Sequence, residues 1–495
     1  MKVLQRSNVM NFTFLFFLAL TLALVFASLD GFIDVDSAFF LRYAKSFADG
    51  NLFKTVNYYN DSEMEFLGII PMGHPLLLGI LYKILPIDLA VLSKFFNFLM
   101  VILLFFSIKK YTSRPWLFLS VFLFGSQIYL FKKSLTDFPF LVLMTIFTIQ
   151  FHKFITETSL KQAWKIGLFS GFLTFYRFIG LFSVLPLGLF FLYQLKEKKK
   201  IKDAFLALAI SNLGIAAVFI SNKLLCGYYT GTPRAGVFHL TWERIYTLSI
   251  EFFAFLTPGF PEMNFGSKGR AIISLYIIFL AVLPVVLYFI YKLKFKHLKS
   301  PCSFNMQNLS FAFFFVGGTY IIALFLLTFM GVAIILRYLH PAIALVFFGL
   351  IFKIESQGEE RFSFFSQLVV VMALASFVFY GIGLPVQDLF GKYPGYFKYR
   401  KQILEKYSEV GKSIVFFGNR HLIYLRPEVQ IEFRMTPGYN GPQINPKKFV
   451  DTINEIVPKV PVYIDWANYE KIPEVSKISI PLTEGELVKV YQPQI

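Results

Sequence analysis

Apolar runs long enough to cross a bilayer recur along this chain, and short lysine-bearing connectors separate them. They lie near residues 11–29, 88–108, 115–131, 138–152, 204–222, 271–291, 310–330, 333–352 and 363–383. Spanning the hydrocarbon takes about 20 apolar residues. Residues 164–194 are too long for one crossing and short for two. Composition agrees with the pattern. The 495 residues are 56% hydrophobic and only 16% charged, too little polar surface for a soluble protein of this size. The 64 phenylalanines suit contact with lipid.

Charge sets the orientation. The net charge of +18 is carried by connectors between apolar segments. These hold Lys109, Lys110 and Arg114; Lys153, Lys161 and Lys165; the run from Lys196 to Lys202; Lys292, Lys294, Lys296 and Lys299; and Lys353 and Arg361. That is the positive-inside pattern of membrane proteins, not a nucleic-acid surface. Reading residues 164–194 as a hairpin of two short helices keeps the 196–202 run inside and puts Arg177 near its outer turn. About eleven spans result, with a cytoplasmic N-terminus. Lys2 and Arg6 precede the first run as in a signal peptide, but the run is long and has no small-x-small cleavage site, so it reads as a retained span. Lys132 and Lys133 fall outside, against the pattern. Cys226 and Cys302 fall on opposite sides, which disfavours a disulfide between them.

Residues 30–87, 223–270 and those from 384 onward then face outward. The first segment holds two amphipathic pieces, residues 38–47 and 75–85, expected as helices on the membrane surface. From 384 the hydrophobicity becomes intermittent. Residues 413–417, 460–464 and 486–491 read as strands, with helical stretches between. The expected fold is an all-α polytopic membrane bundle (residues 1–383) with a small C-terminal α/β domain (residues 384–495) on the outer side.

Ionisable groups at membrane depth are costly, so each is a functional candidate. The topology collects several at one boundary: Asp34 and Asp36 after the first span, His74, Asp137, Arg177, and Arg337 with His340. Each also has a plainer reading. Asp34 or Asp36 suits a helix N-cap, as does Asp137 ahead of Pro139. Arg177 and Arg337 suit snorkelling or helix bridging, and His74 and His340 suit satisfied interior histidines. The functional reading joins them. Arginine forks stabilise charge on a leaving phosphate, and a carboxylate takes the proton from an acceptor hydroxyl. That chemistry is glycosyl transfer from a polyprenyl phosphate.

Five short motifs resemble the GT-C membrane glycosyltransferases, in particular bacterial relatives of protein O-mannosyltransferases and the lipid A aminoarabinose transferase. They are Asp34-Val-Asp-Ser-Ala-Phe-Phe-Leu-Arg-Tyr-Ala-Lys45, Gly73-His-Pro-Leu-Leu-Leu-Gly-Ile-Leu-Tyr82, Thr136-Asp-Phe-Pro139, Gly171-Phe-Leu-Thr-Phe-Tyr-Arg177 and Arg337-Tyr-Leu-His-Pro341. The resemblance covers roughly residues 11–383, in order. It implies inverting transfer of one sugar on the outer face of a bacterial inner membrane, from a polyprenyl-phosphate donor to a lipid, glycan or protein acceptor. It implies Asp36 as the catalytic acid–base residue and Asp34 as its helper. Arg177, Arg337 and His74 would contact the donor phosphate. Asp137, Tyr43, Tyr338 and His340 would support them. A divalent metal on Asp34 and Asp36 is part of the same expectation. The chain departs from the pattern at Ser37, where many relatives have Glu, and at Met72-Gly73, which replaces an acid-Lys pair. Two other readings stay open. An O-antigen ligase or polymerase would use lipid diphosphate donors and the 223–270 loop with Arg234, His239 and Arg244. A lipid or sugar transporter would carry its polar groups at mid-membrane instead of at one face.

Overall fold

The computed structural model describes residues 2–28, 31–56, 64–66, 68, 70–229, 308–329, 336–356, 359–378, 382, 395–416, 419–432, 462–465 and 487–491. Among these, seven helices are long and apolar enough to cross a membrane, so the chain is a multi-pass integral membrane protein. The helices are α1 (Lys2–Leu24), α2 (Val35–Ala48), α3 (Gly73–Ile84), α4 (Leu89–Ile108), α5 (Trp116–Val121), α6 (Gly125–Lys132), α7 (Asp137–Thr156), α8 (Leu160–Tyr176), α9 (Val184–Glu197), α10 (Ile201–Cys226), α11 (Leu309–Phe329), α12 (Leu336–Glu355) and α13 (Glu359–Ser376). The short helices α14 (Tyr396–Lys406) and α15 (Leu422–Leu425) follow. The span expected at 271–291 lies outside the described residues.

Two apolar stretches fold differently from a single crossing. Residues 164–194 form the hairpin: α8 and α9, joined through Arg177 and a 3-10 turn at Phe178–Ser183. Residues 115–131 do not form one span. The helix breaks after Val121 and restarts at Gly125. Residues 116–124 are buried throughout. A break in the backbone at membrane depth is tolerated where protein, not lipid, surrounds it.

The two amphipathic pieces expected within residues 30–87 are α2 and α3, which pack along each other. Between them β1 (Lys54–Val56) pairs antiparallel with β2 (Met64–Phe66). The strands expected near the C-terminus are β3 (Ser413–Phe416), β5 (Val462–Asp465) and β6 (Leu487–Tyr491). A fourth, β4 (Val429–Glu432), lies on the edge, and the sheet order is β4-β3-β5-β6. β3 runs parallel to β4 and β5, and β6 closes antiparallel.

Helices α8 and α10 pack closely along each other. A Cβ on Gly171 would stand 3.0 Å from the Gly214 Cα. Small residues let membrane helices approach this way. Ser170 then bridges Ser211 of α10 at 2.5 Å and Ser183 at 2.6 Å. The hairpin that carries Arg177 is therefore fixed by packing and by hydrogen bonds that lipid cannot supply.

Candidate active site

The starts of α2, α7 and α12 and the ends of α6 and α8 meet on one side of the bundle. Asp34 is the N-cap of α2, and its side chain accepts the Ser37 N–H at 2.8 Å. Its other oxygen lies 2.9 Å from Lys133 Nζ. Burial alone would raise the Asp34 pKa. The Lys133 charge and the Ser37 hydrogen bonds outweigh burial and bring it below the ordinary 3.8. Burial likewise opposes the Lys133 ammonium, and the Asp34 carboxylate outweighs it, so the lysine stays charged. Asp34 thus caps α2, the plainer of its readings, and pairs with Lys133 as well. Asp36 stands exposed in the first turn of α2.

Asp137 is the first residue of α7 and does not act as its cap. It accepts a hydrogen bond from Arg177 Nη1 at 2.5 Å, and both side chains are buried. Arg177 ends α8 in an extended conformation (φ −155°, ψ 128°), which turns its side chain off the helix axis. The two helix dipoles favour this pair, with an acid at one N-terminus and a base at the neighbouring C-terminus. The Tyr338 ring of α12 lies 5.0 Å from the Arg177 guanidinium. His340, one turn in, is buried and within reach of the same charge. Arg337 is the second residue of α12, and its side chain lies outside the described residues.

His74 lies in the interior, against Tyr176. It is 1% exposed, and its Nδ1 lies 2.6 Å from the Tyr176 hydroxyl. Phe40, Phe96 and Tyr176 surround the ring edge-on. Burial pushes its pKa down to about 3, so it is neutral at physiological pH and offers no charge to a phosphate. Its effect is positional. Gly73 beside it lies so close to Tyr176 that a Cβ would meet the Tyr176 Cα at 2.6 Å. The contact holds the start of α3 against the residue before Arg177. Tyr43 is buried too. It packs with Phe53 and Phe66 on the β1–β2 hairpin, because it sits on the α2 face turned toward that hairpin. Burial pushes its phenol up.

The residues that sequence reasoning missed are basic. Lys94, Lys132 and Lys133 are all buried on this side. Lys94 donates to Ser134 Oγ at 2.9 Å, Lys132 lies 4.7 Å from the Phe32 ring centroid, and Lys133 lies 4.2 Å from that of Tyr129. The signal was present: Lys132 and Lys133 broke the positive-inside rule, and lysines on the wrong side need a reason other than topology.

A divalent metal does not fit these residues. Among the described residues no group of three or more His, Cys, Asp or Glu converges to hold one. Asp34 already directs one oxygen at a backbone N–H and the other at an ammonium.

No family model and no curated protein matches the sequence. Solved structures do. ArnT from Cupriavidus metallidurans bound to undecaprenyl phosphate superposes with a TM-score of 0.53 at 11% identity, over 96% of this chain and 97% of that one. The apo form of that protein gives 0.56 at 11% identity, over 94% of each chain. Along nearly its whole length, this chain has the fold of ArnT, the GT-C architecture that its motifs resemble.

Proposed function

We propose that the chain is an inverting glycosyltransferase of the bacterial inner membrane. It moves one sugar from a polyprenyl-phosphate donor to an envelope lipid, glycan or protein on the outer face. The observation that carries this reading is the convergence of Asp34–Lys133, exposed Asp36 and Asp137–Arg177–Tyr338 at one end of the bundle. The ArnT fold supports it, since a structure with that fold was solved with undecaprenyl phosphate bound.

The chemistry follows from the residue types. The acceptor hydroxyl attacks the anomeric carbon from the face opposite the phosphate. As the new C–O bond forms, the bond to phosphate oxygen breaks, and the configuration inverts. Asp36, exposed in the first turn of α2, takes the hydroxyl proton. General-base assistance of this kind contributes about 10²–10⁴-fold. The phosphate leaves as a stable anion and needs no proton. Arg337 and the N–H donors that Arg177 does not direct at Asp137 stabilise the charge gathering there; five donors per guanidinium leave room for both tasks. Lys133 keeps Asp34 ionised and thereby fixes the first turn of α2, which carries Asp36. No step in this scheme runs through a metal.

The experiment compares envelope glycans by mass spectrometry in three strains: wild type, a deletion, and the deletion complemented with Asp36→Asn. The expected outcome is one sugar missing from a defined acceptor in the last two, with the variant inserted at normal levels. A complete acceptor in the Asp36→Asn strain contradicts the assignment.

A further inference from the structure

A second site lies at the other end of the bundle. Helix α1 runs from Ser7 across the membrane to the loop that carries Asp34, and α4 runs from Asp88 to the connector that carries Arg114. Both therefore return one full crossing, about 30 Å, from the catalytic cluster. There α1 and α13 flank a groove of about 460 Å³, and both pack on α5, which closes its floor with Trp116. That volume falls in the range of sites for small ligands.

The lining changes character with depth. Arg114 stands at the mouth, its guanidinium 3.9 Å from the Phe362 ring centroid. Ser363, Gln367 and Val371 follow along α13 at four-residue intervals, all exposed on one helix face. The face thus runs from charged through polar to apolar over two turns. Exposed Gln367 is costly in hydrocarbon unless a polar partner comes to it. The wall is built rather than loose. Ser7 donates to the Ser113 carbonyl at 2.8 Å, tying α1 to the Arg114 connector. The Arg114 N–H donates to Thr112 Oγ1 at 3.0 Å, and Thr112 in turn donates to Glu355 at 2.7 Å. Exposed Lys109 and Lys110 in the same connector add positive charge.

We propose that this groove binds an anionic phospholipid of the leaflet opposite the active centre. The phosphate meets Arg114, whose planar fork suits phosphate oxygens. The glycerol and ester oxygens meet Ser363 and Gln367, and an acyl chain lies over Val371. The charge at the mouth selects an anionic headgroup, as basic pockets between membrane helices do. The polar-to-apolar order along α13 matches the order of groups along a phospholipid. A peptide segment would leave backbone groups without partners at the apolar end.

The test is a titration of the detergent-purified full-length chain with phosphatidylglycerol, and separately with phosphatidylcholine, read by native mass spectrometry. The wild type is expected to retain phosphatidylglycerol in preference to phosphatidylcholine, and inorganic phosphate is expected not to displace it. Arg114→Gln is expected to lower retention about tenfold, the size of one charge-assisted hydrogen bond. Ser363→Trp changes an exposed residue and fills the groove; it should abolish preferential retention while melting like the wild type. Equal retention of the two lipids by the wild type, or undiminished phosphatidylglycerol retention by Ser363→Trp, overturns the proposal.

Discussion

Asp34 directs both carboxylate oxygens into the protein, at Ser37 N–H and Lys133 Nζ, while Asp36, two residues on, is exposed. The pair Asp34–Lys133 sets a stability test. Because the Asp34 pKa is lowered on folding, its contribution is present above the ordinary carboxylate range and is lost as pH falls through the lowered value. Lys133→Met should therefore destabilise the protein by about 2 kcal/mol at pH 7, less than a fully buried pair because Asp34 is partly exposed. The deficit should shrink as pH falls and Asp34 protonates. Thermal unfolding in detergent at a series of pH values checks it; a deficit that does not change with pH contradicts the pairing. At this scale the sequence was legible where membrane physics made it so. Asp36, Asp137 and Arg177 stood out because ionisable groups at a bilayer boundary need a reason. The partners were not legible. Nothing in Thr136-Asp-Phe-Pro139 says that Asp137 meets Arg177, since that depends on how α7 and α8 are packed. The buried state of His74 depends on Phe40, Phe96 and Tyr176, which come from three other helices.

Helices hold the site through close approaches that hydropathy cannot register. The α8–α10 contact at Gly171 and Gly214 fixes the hairpin that presents Arg177. Gly171→Leu should force the two helices apart, costing about 1–3 kcal/mol and lowering transferase activity with it. Gly188 of α9 is the control, because nothing lies within 4 Å of a Cβ there; Gly188→Ala should change stability by less than about 1 kcal/mol. Equal melting temperatures for the two variants would contradict the packing account. The eleven-span reading met its limits at this scale too. Hydropathy sees residues 115–131 as one apolar run, because an interior segment and a lipid-facing one have the same composition. Only packing reveals the break between α5 and α6. The strand β4 was missed for a related reason: Val429-Gln-Ile-Glu432 is four residues long, and it becomes a strand by pairing with β3.

Across the whole molecule, the described part of the C-terminal segment is fastened to α2 and to the start of α4, beside the site. Asp88 caps α4 through the Ala90 and Val91 N–H groups. It also accepts from the Tyr396 hydroxyl at 3.3 Å and pairs with Arg400 at 3.2 Å. Tyr396 and Tyr424 share a hydrogen bond of 2.9 Å, and Arg42 of α2 donates to the Pro427 carbonyl at 2.9 Å. α15 packs on α2, the helix that starts at the candidate base. Asp88→Asn removes the charge that Arg400 pairs with and keeps an oxygen for the cap. It should speed proteolytic cleavage between residues 395 and 432 several-fold, and unchanged cleavage rates would contradict the fastening. The motifs announced the membrane half, since its residues sit at boundaries with strong physical constraints. Contacts such as Asp88 with Arg400 join residues more than 300 positions apart and leave no local pattern.

The central claim is that this chain transfers a sugar from a polyprenyl monophosphate with Asp36 as base. The direct measurement is release of polyprenyl phosphate by the purified protein, supplied with sugar-loaded polyprenyl monophosphate or diphosphate donors and an envelope extract as acceptor. Wild type is expected to release polyprenyl phosphate from the monophosphate donor and to form the product with inverted anomeric configuration. Asp36→Asn is expected to lower that rate by about 10²-fold or more. Turnover of the diphosphate donor alone, or an undiminished rate with Asp36→Asn, would contradict it.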